Sequence, residues 1–188
     1  MNIIGNCGGT FVGGSQEWYE DIWQKKSGCG PVTASNLIWY MTRMNSGFAD
    51  YMSMMLEMFT FVTPSMQGVN TSKIFSDGVT QYGVEHGMDI GTKVLEVPSW
   101  PRKRPDIIAA SEFIETALSS DSPIAFLNLS NGTLENLESW HWVTLISFDS
   151  ETKQAGICDH GIGFDIDFAQ WLATSKLGGA MVYLVFDR

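Results

Sequence analysis

The sequence predicts an α+β fold with helices first and an antiparallel sheet second. Between Pro31 and Glu85 apolar residues recur every three or four positions, whereas from Pro123 onward they fall in short runs that alternate in polarity. Such segregation argues against a doubly wound parallel sheet, which needs strands and helices in alternation. The chain has 188 residues, 44% hydrophobic and 17% charged, and shows no repeat, low-complexity tract or linker, so a single domain over 1–188 is expected.

The segment through Ser15 is rich in glycine and reads as irregular. A helix follows Gly30, with Pro31 in its first turn, where a missing N–H costs nothing, and Val32, Leu37, Ile38, Met41 and Met44 at helical spacing through Asn45. Tyr51 to Phe59 fits a second, methionine-rich helix whose Met residues read as core filler. Asn70 or Thr71 can cap a third, running to about Glu85, with Ile74, Val79 and Tyr82 inward. Asp89 to Val97 reads as a strand, and Trp100 to Pro105 as a proline-bounded loop whose basic run is solvated. A helix near Ser111 to Leu118 comes next. Strands are then expected at Pro123–Leu129, Trp140–Phe148, Gln154–Asp159 and Ala180–Phe186, with a short helix around Phe168–Thr174.

The formal net charge of −10 disfavours nucleic acid and anionic lipid surfaces as partners. The N-terminus has no basic region followed by a long apolar one, and no apolar run reaches membrane-spanning length, so no membrane insertion and a cytoplasmic location are expected. Cys7, Cys29 and Cys158 are too few, and odd in number, for a disulfide framework. No Cys-x-x-Cys pair occurs, and His86, His141 and His160 lack ligand spacing, so neither a metal nor any other cofactor is expected.

The chemistry concentrates at Gln24-Lys25-Lys26-Ser27-Gly28-Cys29-Gly30-Pro31. A cysteine at a helix N-terminus meets the positive end of the dipole, which favours the nucleophilic thiolate. Gly28 and Gly30 leave room for a substrate carbonyl. The Cys29 N–H and the Gln24 side-chain amide are candidate oxyanion donors. His141 opens the β-prone run His141-Trp142-Val143-Thr144-Leu145-Ile146 and suits the general base. Asp159 ends the following strand, and antiparallel pairing brings it beside His141, where it can orient the imidazole. Cys158 points to the opposite face, into the core. Cys7, in Asn6-Cys7-Gly8-Gly9, has no helix after it to activate it.

The order of Gln24, Cys29-Gly30-Pro31 at a helix start, His141-Trp142-Val143 on a strand and then Asp159 resembles the papain-like cysteine peptidases. It is most similar to the bacteriocin-processing peptidases that cut after double-glycine leaders, over about Gln24 to Phe186. The resemblance implies a Cys29 nucleophile, a His141 base, an Asp159 orienting acid and Gln24 in the oxyanion hole. It implies hydrolysis of a peptide or amide bond through a thioester, with an unidentified peptide or protein as substrate. Acyl or peptidyl transfer by the same residues is the alternative, as is a silent binding module on the same fold. His160 departs from the family's proline after the acid, and Asp165 and Asp149 are the other carboxylates that could serve. Specificity is expected in the loops Phe61–Val69, Pro98–Ile107 and Ser130–Ser139. The Gly8-Gly9 and Gly13-Gly14 pairs read as flexible spacers, with self-cleavage there as the lesser alternative.

Overall fold

The computed structural model describes residues 2–4, 10–44 and 47–186, the first three through their backbone alone. It is α+β: helices α1 (Ile22–Ser27), α2 (Cys29–Met41), α3 (Phe48–Phe61) and α4 (Ser72–Glu85) precede most of the sheet, and α5 (Ile107–Ser119) and α6 (Phe168–Thr174) are interspersed with it. Strands β3 (Ile90–Val97), β4 (Ile124–Asn128), β5 (His141–Phe148), β6 (Gln154–Asp159), β7 (Ile162–Asp167) and β8 (Gly179–Phe186) form one antiparallel sheet in the order β3-β8-β4-β5-β6-β7. Among the described residues no helix is long and apolar enough to cross a membrane.

Side chains alternate across a strand, and here both faces are covered. Ala125, Leu127, Trp142, Val182 and Leu184 pack against α2, α3 and α4, with Leu37, Met55 and Phe75. Phe126, Val143, Leu145 and Met181 pack against Ile114 of α5 and Phe168 and Trp171 of α6. Burial on both faces explains the apolar run Ile124–Leu127 in β4, all five of whose residues, Asn128 included, are buried.

The segment through Ser15, expected to be irregular, instead carries a hairpin of β1 (Asn2–Ile4) and β2 (Thr10–Val12). Its second strand is tied to the sheet, because Val12 N donates to Gly161 O and Gly161 N to Gly14 O, at 2.9 and 3.0 Å. Gly13-Gly14 is fixed rather than a free spacer. Gly14 N donates to Asn36 Oδ1 at 2.9 Å, and a Cβ on Gly14 would lie 2.2 Å from the Tyr51 hydroxyl. Cys7 and Gly8-Gly9 lie outside the described residues.

Three further elements differ from expectation. Helix α1 appears because the Asp21 carboxylate caps Gln24 N at 3.0 Å. Helix α2 starts at Cys29 and stops at Met41, short of Asn45, where Arg43 takes a left-handed backbone (φ 57°). Strand β7 was not anticipated. It pairs with β6 from Gln154↔Asp167 to Asp159↔Ile162, leaving His160 and Gly161 as a two-residue turn. Both turn residues have positive φ, 48° and 79°, the geometry of a type I′ hairpin. Proline, locked near −65°, could not occupy position 160 in this turn.

Candidate active site

Cys29 is the first residue of α2, with Gly28 as its N-cap. The glycines on either side serve packing rather than substrate access. A Cβ at Gly28 would lie 2.4 Å from Gln24 O and 2.6 Å from the Tyr19 ring, and one at Gly30 would lie 2.8 Å from a Val69 methyl. α1 and Tyr19 therefore close directly onto the turn that presents the thiol, leaving Cys29 partly exposed.

His141 begins β5 and is buried, and its Nε2 is 2.8 Å from Asp159 Oδ1. Asp159 is the last residue of β6, and the antiparallel β5–β6 pairing delivers it to this position. Of the other two carboxylates, Asp149 accepts from Glu151 N and Thr152 N in the β5–β6 turn, at 2.8 and 3.0 Å. Asp165 lies within β7, away from the imidazole.

Burial opposes charge on the His141 imidazole. Hydrogen bonds to Asp159 and Cys29, together with the negative charges of both, outweigh it and push the pKa up to about 10. The environment of His141 thus favours its protonated form. Cys158 has the opposite environment: it is buried, and desolvation pushes its thiol up to about 12.

A pocket beside the thiol is lined by Cys29, His141, Asp159, His160, Gly14 and Gln16, among others. Gln16 opens the short 3-10 turn Gln16–Trp18, capped by Ser15. Its Oε1 is buried and has no hydrogen-bond partner within the described structure. A buried amide oxygen without a partner, in the pocket that Cys29 also lines, calls for an explanation. Gln24, the residue singled out from sequence, sits half-buried inside α1 and does not line this pocket. Sequence proximity favoured Gln24. The signal that would have found Gln16 is the Gly13-Gly14-Ser15 run, a tight turn followed by a helix cap.

On its other side Cys29 borders a second cleft, open to solvent, walled by Trp23, Lys26, Met66, Val69, Leu129 and Trp140. The loop expected at Phe61–Val69 forms one wall, held by the Trp142 indole N–H donating to Val69 O. Trp140 stands at the mouth, with positive φ (59°) and 57% of its surface exposed. The Pro98–Ile107 loop lies elsewhere. There Arg104 is consumed by the carbonyls of Pro98, Ser99, Leu172 and Lys176, so it is a clamp and not a binding patch. His86 caps α4 and pairs with Glu57 at 3.3 Å, far from this chemistry in the chain and the fold.

No protein-family model matches the chain, and no curated protein matches it at a meaningful level.

Proposed function

We propose that the chain is a papain-like cysteine hydrolase that cleaves a peptide or amide bond through a thioester. The observation that carries this reading is the imidazole of His141, held 2.8 Å from Asp159 and sharing one pocket with a cysteine at a helix N-terminus.

In this mechanism the Cys29 thiolate attacks the carbonyl carbon, and the carbonyl oxygen takes the negative charge. The His141 imidazolium gives its proton to the leaving nitrogen as the C–N bond breaks, and an acyl thioester remains on Cys29. The now neutral His141 removes a proton from water, and the resulting hydroxide attacks the thioester. The acid product leaves and Cys29 returns as the thiolate beside imidazolium. Asp159 holds the ring and its charge throughout. Gln16 replaces Gln24 as the oxyanion donor, because it lines the pocket of Cys29 and His141, where its side-chain N–H would be the donating group. The cleft walled by Trp23, Val69 and Trp140 opens beside Cys29 and is where a peptide segment would lie.

The test is incubation of the chain with a complex peptide mixture, read by mass spectrometry, beside Cys29→Ala. New termini that appear only with the intact chain support hydrolysis. Their absence over prolonged incubation at high enzyme concentration would contradict it. Added amines that become joined to the new C-termini would move the assignment to acyl transfer.

A further inference from the structure

Sequence spacing offers no metal site, since His141 and His160 are nineteen positions apart. Folding removes that separation. The β5–β6 hairpin and the His160-Gly161 turn bring a nitrogen of His141, a nitrogen of His160 and a carboxylate oxygen of Glu138 within 4.8 Å of one another. We infer that Glu138, His141 and His160 form a binding site for a zinc-like divalent ion that, when filled, takes the imidazole of His141 out of use.

Each donor is held by its own anchor. The Asn128 amide donates to Glu138 O, and Asn128 Oδ1 in turn accepts from the Trp171 indole at 2.7 Å, which fixes the backbone below the Glu138 carboxylate. His141 is the first residue of a central strand. The His160 ring has Nδ1 3.4 Å from Ser15 Oγ, which leaves Nε2 as its outward ligand atom. A histidine with one nitrogen engaged by a neighbour and the other free is the usual form of a metal ligand.

The donor set is two imidazoles and one carboxylate, which suits zinc with a further position for water or another oxygen. Asp159 Oδ1, 2.8 Å from His141 Nε2 and 3.7 Å from His160 Nε2, is placed to be that oxygen or to brace the ligands. Around a tetrahedral zinc, nitrogens at about 2.0–2.1 Å lie about 3.3 Å apart, so the cluster must contract. Glu138 is exposed and free to move inward, and the imidazole rings, only 15° from parallel, need small rotations. Two carboxylates at this spot, in a chain of net charge −10, favour a cation there.

The consequence for turnover rests on the hydrolase reading: an imidazole with one nitrogen on a metal cannot cycle between neutral ring and imidazolium at the other, and if that nitrogen is Nε2 its bond to Asp159 is lost as well. Zinc should therefore inhibit reversibly. The existence of the site does not depend on that reading.

The experiment uses the whole chain carrying Cys7→Ser and Cys29→Ser, which leaves only the buried thiol of Cys158, titrated with zinc alone against a chromophoric chelator. One ion per chain is expected, with affinity falling at least about tenfold in both Glu138→Gln and His160→Asn, and unchanged in His86→Asn. Equal affinity in the Glu138 and His160 variants, or a loss in His86→Asn instead, would overturn the site. With the thiol restored, zinc should suppress turnover, a chelator should recover it, and Glu138→Gln should need about tenfold more zinc. Zinc bound through these residues without any effect on turnover would overturn the inhibitory role. A chain that binds zinc this way yet hydrolyses nothing contradicts the reaction and leaves the site standing.

Discussion

The imidazoles of His141 and His160 lie nearly parallel, with centroids 5.5 Å apart, and both face one carboxylate oxygen, Oδ1 of Asp159, at 2.8 and 3.7 Å. His141 holds the shorter of the two contacts, and Cys29 as well as Asp159 helps to raise its pKa. This asymmetry leads to the first prediction.

The pKa of His141 rises from an ordinary 6.5 to about 10, through bonds and charges from Asp159 and Cys29 that outweigh burial. Because the folded value is the higher one, the ring contributes stability that is fully present below about pH 6.5 and lost as pH climbs toward 10. Asp159→Asn removes part of the cause, so the alkaline limb of kcat/KM should move to lower pH, and Cys29→Ala should lower the His141 value as well. Imidazole resonances followed by NMR across pH 5–11 check both shifts. An unchanged titration in the two variants would contradict the thiolate–imidazolium–carboxylate arrangement.

The two glutamines separate by kinetics. Gln16→Ala should lower kcat by about 10²- to 10³-fold with little change in KM, the usual cost of losing one oxyanion donor. Gln24→Ala should leave kcat within about twofold, because that side chain belongs to α1 and not to the pocket. The reverse order would return the oxyanion role to Gln24.

Behind the site, Asn36 joins three elements. Its Oδ1 accepts from Gly14 N and the Tyr51 hydroxyl, at 2.9 and 2.5 Å, and its Nδ2 donates to Thr144 Oγ1 at 2.9 Å. Each of these groups is buried, so removing the amide strands several polar atoms without water. Asn36→Ala should cost roughly 3 kcal/mol in denaturant unfolding, a large share of a domain's net stability. A loss under about 0.5 kcal/mol would show the network to be dispensable.

The β6–β7 turn makes a backbone prediction. With His160 and Gly161 at φ 48° and 79°, His160→Gly should be tolerated for folding, whereas His160→Pro should cost about 3 kcal/mol or more. Gly161→Ala should cost about 1–2 kcal/mol, since its Cβ would also come within 3.1 Å of the Phe11 ring. Thermal unfolding of the three variants checks the order.

Regular, strongly patterned elements were legible in the sequence, and short ones were not. Thr71 caps α4 with its hydroxyl 3.2 Å from Ile74 N, and Phe168–Thr174 and Gln154–Asp159 have the bounds their sequence implies. Strand β7 hid because its turn requires positive φ at a histidine, a conformation no local pattern signals. The hairpin Asn2–Ile4 with Thr10–Val12 hid behind glycine-rich composition, being stabilised by docking to Gly161 rather than by local propensity. The same division holds at the site. Cys29, His141 and Asp159 stand at ends of regular elements and could be placed relative to one another. Gln16 sits on a single 3-10 turn positioned by tertiary contacts that no local pattern encodes.

The most direct test of the central claim is the alkylation rate of Cys29 by iodoacetamide at neutral pH, mapped by mass spectrometry in the intact chain and in His141→Ala. A thiolate maintained by the neighbouring imidazolium should make Cys29 react before Cys7 and well before the buried Cys158, and its rate should fall at least about tenfold when His141 is removed. Labelling of Cys29 no faster than that of Cys7, or at the same rate with and without His141, would contradict the nucleophile–base pair on which the proposed reaction stands.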